Sequence, residues 1–209
     1  MSLRDLAHFM MTLSDNAATD IVMDRVGRAA IGAVIDDLDL HATRVDGDCG
    51  DLFDTIAEDL GIPRDAPLGV LEAAWAEPPL SKLRAIDPER SLNRSTPRDI
   101  TTLLNAIWTD DAASPAACQY VRAVMGEQVW SQRLASGFES AVSVAGKTGT
   151  IPTVRNEVGV VTFPDGDSYA VAVFLTSDTM IGRDAAADAA IGRAAQIAVE
   201  HLRADRHSQ

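Results

Sequence analysis

The chain's 209 residues are 46% hydrophobic but only 5% aromatic, with a formal net charge of −13 at pH 7. That balance predicts a soluble, globular protein with material for one sizeable core or two packed subdomains. It argues against a nucleic-acid partner, whose phosphates need clustered Lys and Arg, and no run of 18 apolar residues offers a membrane span.

Met1-Ser2-Leu3-Arg4-Asp5 has no basic start followed by an apolar stretch, so no signal peptide is read there. Ser2 and Asp5 have capping-box spacing, and Leu3, Leu6, Ala7, Met10 and Leu13 recur at helical spacing, which predicts a first helix to about Leu13. Ser14-Asp15-Asn16 interrupts it. A second periodic stretch runs from Ala17 to Val26 with Gly27 as a stop, so the triplet is expected at a junction where short polar side chains can turn into a cleft. Ala29 to Leu38 predicts a third helix. From Asp39 to about Asn93 the pattern loosens into short helical pieces, Leu52 to Leu60 and Leu68 to Trp75, among Pro63, Pro67, Pro78, Pro79 and Pro88. Within this stretch Asp46-Gly47-Asp48-Cys49-Gly50-Asp51 resembles a calcium loop superficially. Gly falls at the fifth place and Ala57 stands where a closing Glu is needed, so a solvated acidic turn is expected instead.

Thr96-Pro97-Arg98-Asp99 supplies an N-cap, a first-position proline and an early acidic residue for a helix to Trp108, and Ser114-Pro115 starts another to about Met125. After Gly137 the period becomes strand-like, which places a subdomain boundary between 1–137 and 138–209. Val142 to Thr148, Glu157 to Phe163 and Tyr169 to Thr176 read as strands, the last two joined by a turn at Pro164-Asp165-Gly166-Asp167. An Ala-rich amphipathic helix from about Arg183 to Leu202 is expected to lie across one sheet face.

Cys49 and Cys118 give neither a disulfide framework nor metal-ligand spacing, and Cys118 reads as a buried small hydrophobe. His8, His41, His201 and His207 show no metal-pair spacing and no evident acid partner, so none is assigned a catalytic role. His201 fits the negative end of a helix.

Two short motifs carry the chemistry: Ser14-Asp15-Asn16 and Lys147-Thr148-Gly149-Thr150. Taken singly, Ser14 and Asn16 read as helix caps, Lys147 as a solvated strand lysine, and Arg155 as a surface or salt-bridge residue. Asp15 reads as structural, bonding backbone at the bend. Together, in this order and in these settings, the motifs resemble the penicillin-recognising serine hydrolases, in particular the class A β-lactamase-like branch. The likeness continues through Asn16-Ala17-Ala18-Thr19-Asp20, Ser95-Thr96-Pro97-Arg98-Asp99, Arg133-Leu134-Ala135-Ser136-Gly137 and Arg155-Asn156-Glu157.

The resemblance implies an α+β fold, with a helical subdomain, a partial antiparallel sheet and a C-terminal helix, and no metal or organic cofactor. It places Ser14 and Asn16 on one wall of a cleft and Lys147, Thr148 and Thr150 on the other. Catalytic roles follow for Ser14 as a proton shuttle, Asn16 as an amide holding the substrate's carbonyl, and Lys147 as a fixed cation. Substrate-binding roles follow for the Thr148 hydroxyl and Arg155 at a carboxylate, Gly149 as a flat surface and the Thr150 N–H as half of an oxyanion hole. The implied function is hydrolysis of a β-lactam or related amide or ester through an acyl-serine.

Two departures qualify that function. Ser-x-x-Lys is absent: the two lysines, Lys82 and Lys147, are preceded three places earlier by Pro79 and Val144. The family carries that motif upstream of Ser14, so the chain is expected to be N-terminally truncated, without the leading helix, strands and nucleophile helix, and inactive as it stands. Second, alignment of Thr43-Arg44-Val45-Asp46 puts Cys49 where the deacylating glutamate belongs. Glu77 and Glu89 are substitute candidates that read as surface carboxylates. The alternative function is a non-catalytic module that binds carboxylate-bearing, peptidoglycan-like ligands. The resemblance further implies that the Tyr169 to Thr176 strand is central in the family and bare-edged here, so a homodimer through that edge is expected.

Overall fold

The computed structural model describes residues 1–63, 66–67, 69–70, 73–74, 78–151, 153–177 and 184–207. Helix α1 (Leu3–Thr12) is opened by Ser2, whose Oγ accepts the Asp5 N–H at 3.2 Å while Asp5 accepts the Ser2 N–H at 2.8 Å. Helix α2 (Asn16–Val26) begins after an Asp15 N-cap, and Gly27, at φ 83°, turns the chain into α3 (Arg28–Asp37). That positive φ suits a residue without a Cβ. Strand β1 (Arg44–Val45) pairs antiparallel with β2 (Asn93–Arg94), a two-residue ladder too short for any period to announce.

Helix α4 (Cys49–Leu60) corrects the expected acidic turn. Only Asp46 to Asp48 stay outside it, and Asp48 and Asp51 close a reciprocal capping box, so carboxylates that looked solvated are used on backbone N–H groups. Helices α5 (Pro97–Trp108) and α6 (Pro115–Gly126) start at Thr96 and Ser114, with proline in the first turn of each. A 3₁₀ turn over Leu134–Gly137 leads to β3 (Ser143–Ile151), β4 (Val154–Thr162) and β5 (Ser168–Thr176), an antiparallel sheet in the order β3-β4-β5. Helix α7 (Ala185–His207) closes the chain. Strand β4 starts three residues earlier than its β-branched run suggested, because the ladder from Ile151↔Val154 recruits Arg155 and Asn156. The expected start at Arg183, parts of the Leu68 to Trp75 piece, and Glu77 lie outside the described residues.

Both faces of the sheet are covered. Val161 packs with Leu134, Val171, Ile191, Ala195 and Val199 beneath α7, while its neighbour Val160 packs with Leu104 and Met125 beneath α5 and α6. Successive side chains of a strand point to opposite faces, so a central strand buried on both sides reads as a continuous apolar run, as Val158 to Val161 does. A third cluster, Ile56, Leu83 and Ala85, lies under α4. Gly137 and Gly192 let the 3₁₀ turn sit directly on α7: a Cβ on Gly137 would fall 2.1 Å from the Gly192 carbonyl oxygen. Among the described residues no helix is long and apolar enough to cross a membrane.

Candidate active-site cleft

The junction between α1 and α2 is made by local hydrogen bonds that leave Ser14 exposed to the cleft. Leu13 and Asp15 both donate their N–H to the Phe9 carbonyl, and the Asp15 carboxylate caps Ala18 N–H at 2.9 Å. Ser14 is thereby held at φ 60°, a left-handed conformation uncommon for a residue with a Cβ. Asp15 is the cap, and Ser14 and Asn16 both line the cleft.

Across the cleft, Lys147 Nζ lies 2.6 Å from Ser14 Oγ and 2.8 Å from the Thr148 carbonyl oxygen. Burial pushes the ammonium below the usual lysine range, and the Arg133 guanidinium pushes it further in the same direction. The Thr148 N–H donates to Gln128 Oε1 at 2.7 Å, and Gln128 Nε2 donates to Glu157 Oε1 at 3.0 Å. Glu157 is 1% exposed and its other oxygen accepts the Leu134 N–H at 2.6 Å. Desolvation raises its carboxyl above the ordinary value, against the opposing pull of those two donors.

The cationic floor is built on one carboxylate. Arg133 Nε and Arg155 Nη1 each sit 2.9 Å from Asp188 Oδ1, and all three groups are buried. Arg133 also donates to the Gly149 and Asn156 carbonyls and, through Nη2, to Thr150 Oγ1 at 2.7 Å. Two guanidiniums share the Asp188 carboxylate at the wall of a cleft of about 1050 Å³ that is also lined by Asp184, Thr148, Thr150 and Trp130. Lys147 sits behind Ser14 rather than among the lining groups. Gly149 is exposed, and a Cβ there would meet only Asn156 Cβ at an ordinary 3.8 Å.

Sequence reasoning singled out Ser14, Asn16, Lys147, Thr148, Gly149, Thr150 and Arg155, and these residues converge on this one cleft and the strand pair behind it. It missed Gln128, Glu157 and Asp188 as polar supports and read Arg133 only as part of a lead-in segment. The available signals were a carboxylate inside the valine-rich β4 run and a lone aspartate amid the alanines of α7. Cys49 is the first residue of α4. Its N–H and that of Gly50 are accepted by Asp20 of α2, and burial followed by Asp20 lifts its thiol to about 11. Glu89 is a surface carboxylate 3.6 Å from Arg94, and His8, for which no acid partner was expected, lies 2.7 Å from Glu127 on the exterior.

Among known proteins, a family model described as the beta-lactamase enzyme family matches residues 1–202. The Streptomyces cacaoi beta-lactamase regulatory protein BlaB is 27% identical over 213 residues, covering 95% of this chain and 68% of that protein. A class A beta-lactamase from Bacteroides cellulosilyticus superposes with a TM-score of 0.73 at 22% identity, over 98% of this chain and 65% of its own. The beta-lactamase from Streptomyces albus G does so with 0.72 at 20%, over 96% and 64%. A mutant of PBP-A, solved as an acyl-enzyme complex with penicillin G, gives 0.67 at 22%, over 96% and 62%. The chain thus spans just under two thirds of the solved structures it matches.

Proposed function

This chain belongs to the beta-lactamase enzyme family, and from that premise we propose that its cleft captures β-lactams or related carboxylate-bearing, peptidoglycan-like ligands without turning them over by the family's Ser-x-x-Lys route. The observation that carries this reading is a single cleft lined by Arg133, Arg155, Thr148 and Thr150 together with Asn16, its two guanidiniums held on Asp188. A ligand carboxylate meets the guanidiniums of Arg133 and Arg155 and the hydroxyls of Thr148 and Thr150. Asn16 offers its amide to the ligand's carbonyl from the opposite wall, and Gly149 keeps the strand surface flat. Alternation along β3 puts the Thr150 N–H on the same outer edge as that of Thr148, aimed at a carbonyl oxygen in the cleft. The 1–137 and 138–209 subdomains would face each other across this space.

Turnover fails for two reasons in the sequence and the geometry. No Ser-x-x-Lys exists in the 209 residues. The position expected for the deacylating carboxylate holds Cys49, whose thiol stays protonated at neutral pH because its pKa is lifted to about 11. The Streptomyces cacaoi relative is named a beta-lactamase regulatory protein, which favours the same reading.

Calorimetric titration with benzylpenicillin tests it. Saturable binding should weaken by about tenfold or more in Arg155→Ala, the range for losing a charge-assisted contact, and a chromogenic cephalosporin should show no repeated turnover. Absence of binding, or many turnovers per protein, would overturn the proposal. We further propose that β5, unpaired on its outer side among the described residues and free of charge along its length, associates with a second copy edge to edge. Light scattering on a column fraction should give twice the chain mass; a stable monomer at all concentrations would refute the pairing.

A further inference from the structure

Ser14 and Lys147 form a unit that ligand capture leaves unused. Ser14 Oγ is exposed on the cleft wall, whereas the amine that touches it is drawn into the interior and anchored on the Thr148 carbonyl. The serine sits at φ 60°, so the backbone presents its side chain from a sharp bend. A hydroxyl in contact with a desolvated amine, at the lip of a cavity, is a sufficient nucleophile and base. We infer that Ser14 is itself an acyl-accepting nucleophile, with Lys147 as its base, and that the chain forms a long-lived acyl-serine with strained or activated acyl donors. This inference rests on the cleft proposed above.

In its neutral form Lys147 takes the Ser14 hydroxyl proton as Oγ forms a bond to the acyl carbon. The C–N bond of a β-lactam, or the C–O bond of an aryl ester, breaks, and the leaving nitrogen or oxygen receives the proton from the Lys147 ammonium. The Thr150 N–H faces the carbonyl oxygen while it carries charge. Electrons move only as pairs and nothing is oxidised. Release by water then needs a second base. Glu157, the buried carboxylate whose charge acts on Lys147, is held by the Leu134 N–H and Gln128, Asp188 is held by two guanidiniums, and the Cys49 thiol is protonated, so the ester persists.

The test incubates the full chain with benzylpenicillin and, separately, with p-nitrophenyl acetate. Intact mass should increase by one whole penicillin per chain, with peptide mapping placing it on Ser14, and the aryl ester should release one equivalent of phenolate. Ser14→Ala, a change at an exposed position that should leave the urea midpoint unchanged, should abolish labelling. Lys147→Arg, which keeps the charge but cannot give up its proton, should slow labelling by about 10²–10⁴-fold, the usual worth of a positioned base. The labelling rate should rise with pH and level off as Lys147 deprotonates, below the range of a free lysine. The groups facing it are Arg133 before β3, which favours deprotonation, and Cys49 on α4 and Glu157 on β4, which oppose it. Reversible binding with no adduct, an adduct on Cys49, or Lys147→Arg labelling at the wild-type rate would each overturn the nucleophile assignment while leaving ligand capture standing. Loss of both binding and labelling in the unaltered chain would overturn both.

Discussion

Around Asp188, buried polar groups are densely paired, with Arg155 Nε left without a hydrogen bond: two guanidiniums share the carboxylate, Arg133 reaches three further acceptors on β3 and β4, and Glu157 ties Gln128 to the Leu134 amide. Between α3, α5 and the start of β4 the reverse holds. There a hollow of about 670 Å³ is lined largely by apolar side chains such as Ile31, Val34, Ile35, Ile100 and Phe174, with Val34 43% and Phe174 37% exposed. A charge buried without a partner is expensive, so the first region admits one arrangement. An apolar side chain facing an open hollow forfeits only contacts, so the second region is loosely specified. The positions of the cleft residues are therefore set by polar pairing on the sheet side rather than by closure of the helical core.

That contrast can be broken most sharply at Asp188. Asp188→Ala strands Arg133 and Arg155 together in a low-dielectric interior and should lower unfolding stability by about 3–5 kcal/mol in denaturant titrations. A loss near that of a surface change would show that the network is not what fixes the wall. Gly137→Ala, whose Cβ would overlap the Gly192 carbonyl, should cost about 1–3 kcal/mol and loosen the contact of α7 with the 3₁₀ turn.

The Glu157 carboxyl gives a dependence on pH. Its folded pKa is raised, so the native state keeps the proton longer than the unfolded chain does. The associated stability is fully present below the unfolded value of about 4.5 and is lost as pH rises through the higher folded value. Glu157→Gln should therefore flatten the decline of the urea midpoint as pH rises above about 4.5, whereas an unchanged slope would point to another titrating group. At the hollow, Val34→Ala should change stability by no more than about 0.5 kcal/mol, the range of surface substitutions. A loss as large as at Gly137 would mean that this region is packed after all, and would erase the comparison.

Much of the fold was legible because local chemistry and final structure agree. Ser2 with Asp5, Thr96 with Pro97, and Ser114 with Pro115 each predicted a helix start that the backbone adopts. The β1–β2 ladder was not legible, since two residues carry no period. The start of α4 was missed because the same carboxylates suit a solvated turn and a capping box, and only the backbone direction separates these uses. In the cleft, Ser14, Asn16 and the Lys147 segment could be found as motifs. Gln128, Glu157 and Asp188 could not, because a lone Gln, Glu or Asp inside an apolar stretch does not name its partner.

The sequence by itself determined where helices begin, which runs become strands, and which residue types could make an acyl-transfer cleft, because capping, periodicity and side-chain chemistry are local properties. Only the tertiary structure decided that Lys147 meets a serine 133 positions away, that Arg133 and Arg155 converge on Asp188, and that the lysine is drawn below its usual pKa range. Those outcomes depend on how much water each group loses and which charges it then faces, and desolvation is a property of packed neighbours rather than of any single residue.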